Sequence, residues 1–355
     1  MHNGGRINGS GKGRGAVRAG EEGAEVIISA SRRTDIPQFH GEWMVNRVRA
    51  GFVDVRNAMF PTQVSRYSLD PHKVDGIVFW TKDPEPFLEK LRHFEAYPYY
   101  FQFTLTPYGR DLEPGLRDKG ALVETFKQLS RRLGAVRVVW RFDPLLLNRR
   151  YTVDYLIEAF DALSAQLRGC TRRVVISFID DYAFGNRKVF QTVGSGGVPL
   201  EAQRRLATSF AEIARERGMV VETCAEIASL SKYGVEHGRC VDARLLEEIG
   251  GFKLSRRASR YEELGKDRSQ RADCGCVESI DIGWPNTCQG RCAYCYATSG
   301  PAEVAKALSS CDPAGTLLCG AIDPASDRLT DHRGTGDPRD RSFRFGTCYG
   351  QESLL

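Results

Sequence analysis

From residue 24 onward, the chain alternates between short runs of β-branched or aromatic residues and longer amphipathic segments. Most of the short runs are continuously apolar, which is typical of parallel strands that are buried on both faces. These predicted strands are EVIISA (25–30), FVDV (52–55), GIVFWT (76–81), YYFQFTLT (99–106), VRVVWRF (136–142), RVVISFI (173–179) and MVVETC (219–224). The segments between them predict helices near 38–50, 84–95, 116–133, 151–168, 199–217 and 242–249.

The order of these elements predicts an α/β fold, and more narrowly a (β/α) barrel that is complete or partly open. An open doubly wound sheet is the alternative. The residues after the first predicted strand, SASRRTDIP, contain no glycine-rich phosphate loop, which argues against a dinucleotide-binding sheet.

The regular alternation stops after residue 265, and we therefore divide the chain into four regions. Residues 1–23 form a basic, glycine-rich tail that we expect to be disordered. Residues 24–265 form the barrel-like domain, and residues 266–300 form a cysteine-rich segment that we interpret as the iron–sulfur cluster segment. Residues 301–355, rich in Gly, Pro, Ser and Asp, predict a loop-rich C-terminal extension.

The net charge of +5 is concentrated at the start of the chain, because residues 1–20 contain four basic and no acidic residues. The remaining body is close to neutral and gives little support for a nucleic-acid-binding surface. No run of eighteen apolar residues predicts a membrane span, and the first twenty residues lack the apolar core of a signal peptide. We therefore expect no membrane partner and a cytoplasmic location.

Polar side chains recur at the C-terminal ends of the predicted strands, where barrels of this class place their active sites. They are Arg32, Arg33, Asp35, Asn57, Trp80, Lys82, Thr106, Tyr108, Arg141, Asp143, Ser177, Asp180, Asp181, Cys224 and Glu226. Any one of them could form a loop ion pair or a helix cap, but together they predict a polar pocket. The candidate catalytic or substrate-contacting residues are Arg32, Asp35, Lys82, Arg141, Asp143 and Glu226. The arginines suit a carboxylate ligand, because a guanidinium makes bidentate hydrogen bonds with it.

Eleven cysteines are present, and five of them fall between Cys274 and Cys295. The core of this segment is Cys288-x3-Cys292-x2-Cys295. Three thiolates can bind three irons of a 4Fe-4S cluster and leave the fourth iron open, whereas a complete ferredoxin-type site has four. A zinc site is the main alternative, since Cys274 and Cys276 could add ligands, although zinc favours paired Cys-x2-Cys units. Disulfides are the least expected use of these cysteines.

A second group of cysteines consists of Cys224, Cys240, Cys274 and Cys276. Cys224 ends the last predicted strand, so we expect it to face the pocket. Four thiolates would complete a second iron–sulfur or zinc site. The other interpretation is that Cys224 and Cys240 pack as small apolar residues. The remaining cysteines, which we interpret as incidental, are Cys170, Cys311, Cys319 and Cys348.

The pattern Cys-x3-Cys-x-Tyr-Cys, which includes Tyr294, resembles the signature of radical S-adenosylmethionine enzymes. The resemblance implies that Cys288, Cys292 and Cys295 hold a 4Fe-4S cluster whose open iron binds S-adenosylmethionine. It also implies a one-electron reduction that yields a 5′-deoxyadenosyl radical, with a reducing partner such as flavodoxin or ferredoxin. Tyr294 and Arg33 are the candidate contacts for S-adenosylmethionine.

Two features depart from that superfamily. Its cysteine motif usually follows the first barrel strand, whereas here the motif follows the last predicted strand. A Gly-Gly-Glu element that helps to bind S-adenosylmethionine is not evident, because Gly250-Gly251 is followed by Phe252.

Over about residues 27–298 the chain is similar to an uncharacterised bacterial family, domain of unknown function 1848. The matching segments are SASRRTDIPQF, FWTKDP, FQFTLTPYGRDLEP, VVWRFDP, VVISFIDDY, ETCAE, HGRCVD, QRADCGC and DIGWPNTCQGRCAYCYA. This resemblance implies a barrel-like body with a C-terminal cluster of the radical type, but no activity.

The rival to an enzyme is a non-enzymatic binding protein, in which the C-terminal cysteines bind zinc or a fully ligated cluster and stabilise an interaction module. Nucleic acid is a weakly supported partner for such a module, through the basic tail and residues such as Trp80, Trp140 and Trp284. A third hypothesis is radical modification or repair of nucleic acid, since the Cys-x-Tyr-Cys-Tyr ending resembles that of spore photoproduct lyase. The substrate itself is left open.

Overall fold

The computed structural model describes residues 26–181, 183–184, 187–251, 266–267 and 269–333. The strands are β1 (Val26–Ala30), β2 (Phe52–Arg56), β3 (Gln63–Ser68), β4 (Val74–Thr81), β5 (Tyr99–Thr104), β6 (Val138–Arg141), β7 (Arg173–Ile176), β8 (Ala183–Phe184), β9 (Arg187–Lys188), β10 (Val220–Thr223), β11 (Glu236–His237), β12 (Ile280–Asp281) and β13 (Arg328–Asp331). The predicted tail at 1–23 lies outside the described residues.

Helices connect most of these strands. The α-helices are α1 (Ile36–Phe39), α2 (Gly41–Ala50), α3 (Lys119–Leu133), α4 (Val153–Gln166), α5 (Val189–Val193), α6 (Leu200–Glu216), α7 (Ala243–Gly250) and α8 (Pro301–Leu308), and 3₁₀ helices lie at Glu85–His93, Ala135–Arg137 and Ser231–Tyr233. Local sequence sets several starts: the Asp118 side chain accepts from the backbone N–H of Ala121 to cap α3, and Thr152 caps α4 in the same way. No described helix has the length and apolar character that a membrane crossing requires.

Eight of the strands form one sheet in the order β11-β10-β7-β6-β5-β4-β1-β12. Every neighbouring pair in it runs parallel. The predicted α/β class with a parallel sheet is therefore confirmed. Within the described residues β11 and β12 are the two edges, so the strand that the chain makes last in this sheet lies beside the one it makes first.

The two faces of this sheet are buried against different elements. One face packs against α3, α4 and α6, whose contributions include Phe126, Phe160 and Phe210. The other face gathers side chains from five strands into a second apolar cluster, together with Leu245 and Leu246 of α7. The strand residues in that second cluster are Ile27, Val78, Tyr100, Val139 and Val175. Burial on both faces explains why these strands are continuously apolar in sequence.

The chain around Cys240 crosses this second face. Its carbonyl accepts hydrogen bonds from the Tyr100 hydroxyl at 2.6 Å and from Gln102 Nε2 at 2.8 Å. The backbone N–H of Val277 donates to the carbonyl of Val241 at 3.1 Å, and three residues later Ile280 pairs with Ile28 in β1. The cysteine-rich segment predicted at 266–300 therefore contributes a strand to the main sheet and is not a separate appendage.

A smaller sheet has the order β13-β3-β2. The prediction that residues 52–55 belong to the barrel sheet is therefore wrong, because β2 pairs antiparallel with β3. Within this hairpin Arg66 makes two hydrogen bonds, of 2.7 and 2.8 Å, with the buried carboxylate of Asp54.

The described part of the C-terminal extension contains α8 and β13. Strand β13 pairs parallel with β3, and Arg56 holds Asp327 through two hydrogen bonds of 2.7 Å. Cys311 and Cys319, interpreted from sequence as incidental, are joined by a disulfide. The extension packs on the body, because Trp43 Nε1 of α2 donates to the carbonyl of Gly315 at 3.0 Å.

Candidate functional site

A cavity opens at the C-terminal ends of β1, β4, β6, β7 and β10. Its wall contains most of the residues that the sequence predicted for a site: Arg32, Arg33, Asp35, Lys82, Arg141, Asp143, Cys224, Cys240, Cys274, Cys276, Cys288, Cys292, Tyr294 and Cys295. Parallel strands present their C-terminal ends at one edge of a sheet, so residues far apart in sequence converge there. The polar pocket and both cysteine groups thus share one cavity.

Some strand-end residues lie elsewhere. Asn57 belongs to the turn of the smaller sheet, where its Oδ1 accepts from the backbone N–H of Met59 at 2.9 Å. Glu226 is not one of the residues that line the cavity, but it accepts from the backbone N–H of Phe178, which does line it, at 2.8 Å. Burial raises the pKa of Glu226 to about 7. Its role as a substrate contact stays a prediction.

The loop that carries Cys288, Cys292 and Cys295 follows β12 and is tied to the body at several points. The backbone N–H of Ala293 donates to the carbonyl of Leu112 at 2.8 Å, and His40 Nε2 lies 3.0 Å from the carbonyl oxygen of Thr287. Arg291 adopts a left-handed backbone conformation (φ 54°), which turns the chain between the cysteines.

Gly290 lies beside two of the three thiols of this loop. A Cβ added at Gly290 would lie 3.5 Å from Cys288 Sγ and 3.8 Å from Cys292 Sγ, so glycine keeps the space between these sulfurs clear of a side chain. Burial raises the pKa of Cys288 to about 12, and the neighbouring Cys295 adds to that shift. Burial also raises the pKa of Cys292 well above its ordinary value, although the nearby Lys82 ammonium opposes the shift.

Lys82, at the end of β4, connects this loop to a buried carboxylate. Lys82 Nζ donates to Glu113 Oε1 at 2.8 Å and to the Tyr294 hydroxyl at 2.9 Å, and the Tyr294 hydroxyl itself donates to Glu113. Lys119 Nζ donates to the other carboxylate oxygen of Glu113 at 2.5 Å. Burial alone would raise the pKa of Glu113, but Lys82 and Lys119 outweigh it and lower that pKa to about 2.

Glu113 and Lys119 were missed from the sequence. Tyr294 uses its hydroxyl in their network and its ring packs edge-on against Tyr108. These contacts give Tyr294 a role in positioning the cysteine loop, while its contact with S-adenosylmethionine stays a prediction.

Trp80 brings two arginines together at the cavity. The guanidinium carbons of Arg32 and Arg141 lie 5.2 and 5.1 Å from its ring centroid, within the range of cation–π attraction. Arg141 also donates to Asp143 Oδ2 at 2.6 Å. Near them, the Nη1 atom of Arg33 is buried and has no hydrogen-bond partner within the described part of the chain. A buried guanidinium nitrogen of this kind is suited to an anionic ligand.

Asp35 lies beside the loop of β1 and caps α1. Its Oδ1 accepts from the backbone N–H of Gln38 at 2.9 Å and its Oδ2 from that of Lys82 at 2.7 Å. Burial outweighs these hydrogen bonds and raises the pKa of Asp35 to about 7. A carboxyl group with this pKa can take up or release a proton near neutral pH.

The second cysteine group lies on another part of the cavity wall. The sulfurs of Cys224 and Cys240 are 3.0 Å apart, and Cys276 is within hydrogen-bond reach of both Cys240 and Cys274. Arg141 Nη1 donates to Cys240 Sγ at 2.9 Å. In the described part of the chain, no set of three or more His, Cys, Asp or Glu side chains is arranged as ready-made ligands of one metal ion.

The comparison with known families matches residues 27–297 to "Domain of unknown function (DUF1848)". This chain belongs to the DUF1848 family. The matched region begins in β1 and ends just after Cys295, so it includes both cysteine groups and excludes the C-terminal extension. No curated protein matches the chain.

One glycine of this DUF1848 protein fixes the approach of the cysteine loop to the body. A Cβ added at Gly115 would lie 2.6 Å from the carbonyl oxygen of Gly290 and 2.9 Å from that of Gln289, which are backbone atoms that cannot rotate away. We therefore expect Gly115→Ala to displace the loop and to lower the free energy of unfolding by about 1–3 kcal/mol. Urea denaturation should show this loss.

The matched control is Gly196→Ala, because a Cβ added at Gly196 meets no atom within 4 Å. It should leave the free energy of unfolding nearly unchanged. Equal stabilities for the two variants would contradict the close contact between Gly115 and the cysteine loop.

Proposed function

We propose that Cys288, Cys292 and Cys295 hold a 4Fe-4S cluster and that this protein is a radical S-adenosylmethionine-type enzyme. The observation that carries the proposal is the shared cavity. Three thiols, one ligand short of a complete cluster site, line the same cavity as the strand-end arginines Arg32 and Arg33 at the C-terminal edge of a parallel sheet. A site that lacks one ligand leaves a coordination position for a small molecule.

The sequence spacing of the three cysteines supports a cluster, since each ligand sulfur of a 4Fe-4S cluster binds a different iron. Cys295 contributes to the raised pKa values of both Cys288 and Cys292, so the three thiols lie near one another. Gly290 leaves the space beside Cys288 Sγ and Cys292 Sγ free of a side chain. Lys82 beside Cys292 favours the thiolate form that iron requires.

The position of the loop in space supports the likeness to radical S-adenosylmethionine enzymes. Their motif usually follows the first barrel strand, and here it follows β12 late in the chain. Yet β12 is the edge strand beside β1. If the strands are counted by their positions across the sheet, β12 comes first. The motif therefore follows the first strand in space, although that strand comes late in the sequence.

The proposal includes a sheet that curves into a complete or partly open barrel. Residues from five strands meet in one cluster on the face that α7 fills, as side chains do inside a barrel. Val277 bonds to Val241 on that face, and Ile280 pairs with Ile28 at the edge of the sheet. Only three residues separate Val277 from Ile280, so these two places are at most about 11 Å apart.

When bound, the cluster would supply the electron that cleaves S-adenosylmethionine to a 5′-deoxyadenosyl radical. The chain's own groups bind and orient the reactants. Arg33 would bind the S-adenosylmethionine carboxylate, which the unpartnered buried Nη1 atom supports, and Asp35 can hold a proton at its carboxyl group near pH 7. Arg32, Arg141 and Asp143 remain for a polar substrate, and Lys82 with Glu113 fixes the cysteine loop. A reducing partner of the flavodoxin or ferredoxin type would deliver the electron.

Anaerobic reconstitution tests the proposal. The full chain, treated with iron and sulfide, should turn brown and hold about four irons through Cys288, Cys292 and Cys295. With dithionite and S-adenosylmethionine it should form 5′-deoxyadenosine. Cys292→Ser should lose both properties, whereas Cys170→Ser, which alters a cysteine outside both groups, should keep them.

Two results would contradict the proposal. A colourless protein in which these three cysteines bind zinc would support the non-enzymatic interaction module. A brown protein that forms no 5′-deoxyadenosine, with or without cell extract as a source of substrate, would keep the cluster and exclude the radical chemistry.

A further inference from the structure

Four cysteines from three separate stretches of the chain meet on one wall of the cavity. Cys224 follows β10, Cys240 follows β11, and Cys274 and Cys276 belong to the segment that leads to β12. Cys240, Cys274 and Cys276 are buried. Buried free cysteines occur singly in many cores as small apolar residues, but four sulfurs in mutual reach form a set of soft ligands.

The contacts among these sulfurs form a continuous chain. Cys224 Sγ and Cys240 Sγ are 3.0 Å apart. Cys276 is within hydrogen-bond reach of Cys240 on one side and of Cys274 on the other. Cys240, Cys274 and Cys276 also lie in one buried cluster, against which Cys224 packs, so the four side chains occupy one place in the cavity wall.

From this geometry we propose that Cys224, Cys240, Cys274 and Cys276 form a closed four-thiolate site for a single zinc ion. Around tetrahedral zinc, with Zn–S bonds of about 2.3 Å, neighbouring sulfurs stand about 3.8 Å apart. The 3.0 Å separation of Cys224 and Cys240 is a contact between metal-free thiols, which must move apart by about 0.8 Å. The described residues form no ready-made set of three or more ligands for one ion, so zinc binding would have to rearrange the four sulfurs around the metal.

The surroundings of the four sulfurs match the charge of such a centre. Zinc displaces four thiol protons to solvent, and one Zn²⁺ with four thiolates carries a net charge of −2. Arg141 Nη1 donates to Cys240 Sγ at 2.9 Å. The positive charge of the Arg32 guanidinium attracts the sulfur of Cys276 electrostatically. The backbone N–H of Val241 donates to Cys276 Sγ at 3.3 Å. The two arginines offset part of the negative charge, although Arg141 also pairs with Asp143, and the donors to Cys240 and Cys276 orient two of the ligands.

The zinc site would link the three chain segments that form this part of the cavity wall. With four protein ligands it has no open position, so its role is structural and not catalytic. It would join the C-terminal end of β10 to the chain that crosses the second face of the sheet and to the segment before β12. The inference does not depend on the proposed function, because it concerns other cysteines and another metal.

Metal analysis of the full-length chain and three variants tests this inference. The Cys274/Cys276 variant changes both of these residues to Ser. The triple variant changes Cys288, Cys292 and Cys295 to Ala, and Cys170→Ser is the control. Wild type, the triple variant and the control should each contain about one zinc per chain, and the Cys274/Cys276 variant less than about a tenth of that. Cobalt incorporated in place of zinc should give the visible spectrum of a tetrahedral thiolate site in the triple variant.

A second measurement covers the case in which the Cys274/Cys276 variant does not fold. Treatment of the triple variant with a strong chelator should release zinc and expose four further thiols to a thiol reagent. The inference is overturned if the triple variant contains no zinc, or if it remains brown and holds several irons, since the four cysteines would then bind a second iron–sulfur cluster. Loss of 5′-deoxyadenosine formation alone would bear on the proposed function and not on this site.

Discussion

Replacing Glu113 with glutamine is expected to lower the free energy of unfolding by about 3 kcal/mol at pH 7. Glu113 is 2% exposed and accepts hydrogen bonds from both Lys82 and Lys119. A neutral amide would leave two partly buried ammonium groups without their counter-charge. Attraction to these lysines outweighs burial and lowers the pKa of Glu113 from 4.5 to about 2, and this shift gives the magnitude.

The effect should depend on pH in a defined direction. Because the folded-state pKa of Glu113 is depressed, its stabilising contribution is fully present above about pH 4.5 and is lost as the pH falls through 2. Urea denaturation at pH 7 and at pH 3.5 should therefore show a smaller difference between wild type and Glu113→Gln at the lower pH. Glu124→Gln is the matched control, since Glu124 pairs with Lys127 on the exposed surface of α3 and should change little. A pH-independent difference would contradict the assignment.

Replacing Arg33 with alanine is expected to weaken the binding of S-adenosylmethionine to the reconstituted protein by about 10- to 150-fold. A hydrogen bond to a charged group contributes about 1.5–3 kcal/mol, which corresponds to that range. The expectation rests on Arg33 Nη1, a buried nitrogen in the cavity wall with no hydrogen-bond partner in the described residues.

Calorimetric titration with S-adenosylmethionine can measure this change. Arg33→Lys should recover part of the affinity, because it keeps the charge but loses the planar fork. Arg168→Ala, which alters an exposed arginine beyond α4, should bind as wild type does. An unchanged Kd in Arg33→Ala would assign carboxylate binding to another group, with Arg32 the next candidate.

Much of the main sheet could be predicted from sequence, because its strands are buried on both faces. The runs that become β1, β4, β5, β6, β7 and β10 are continuously apolar, and each lies within a few residues of its predicted position. The prediction that β2 belongs to the main sheet was wrong, and the sequence of β2 differs from these runs. In FVDV the valines are separated by Asp54, and this alternation is typical in sequence of an antiparallel strand, although Asp54 is itself buried through its pairing with Arg66.

The pairing of the edge strand β12 with β1 could not be predicted from an apolar run. β12 contains only Ile280 and Asp281, too few residues for any periodicity. Its position depends on contacts made far along the chain: Asp281 accepts from the Ser29 and Ser31 hydroxyls and from the backbone N–H of Arg32.

The residues that line the candidate site could be predicted from sequence, whereas the residues that hold the cysteine loop in place could not. The strand ends and the cysteine spacing identified most of the cavity wall. Glu113 carried a weaker signal, since it is one acidic residue in a loop after β5, and its partners Lys82 and Lys119 lie 31 and 6 residues away. No local pattern joins three such positions, and only the fold brings them together.

The place of β12 beside β1 also has a consequence for how the protein is made. The ribosome synthesises β1, β4, β5, β6, β7 and β10 before Cys288, Cys292 and Cys295 emerge, and N-terminal parts of a chain generally begin to fold first. Most of the sheet can thus form while the edge next to β1 is still bare. The cysteine segment then adds the last strand of the main sheet, and the C-terminal extension with β13 follows it. If these thiols hold the proposed cluster, it would be inserted late in biogenesis, into a body that has already taken shape.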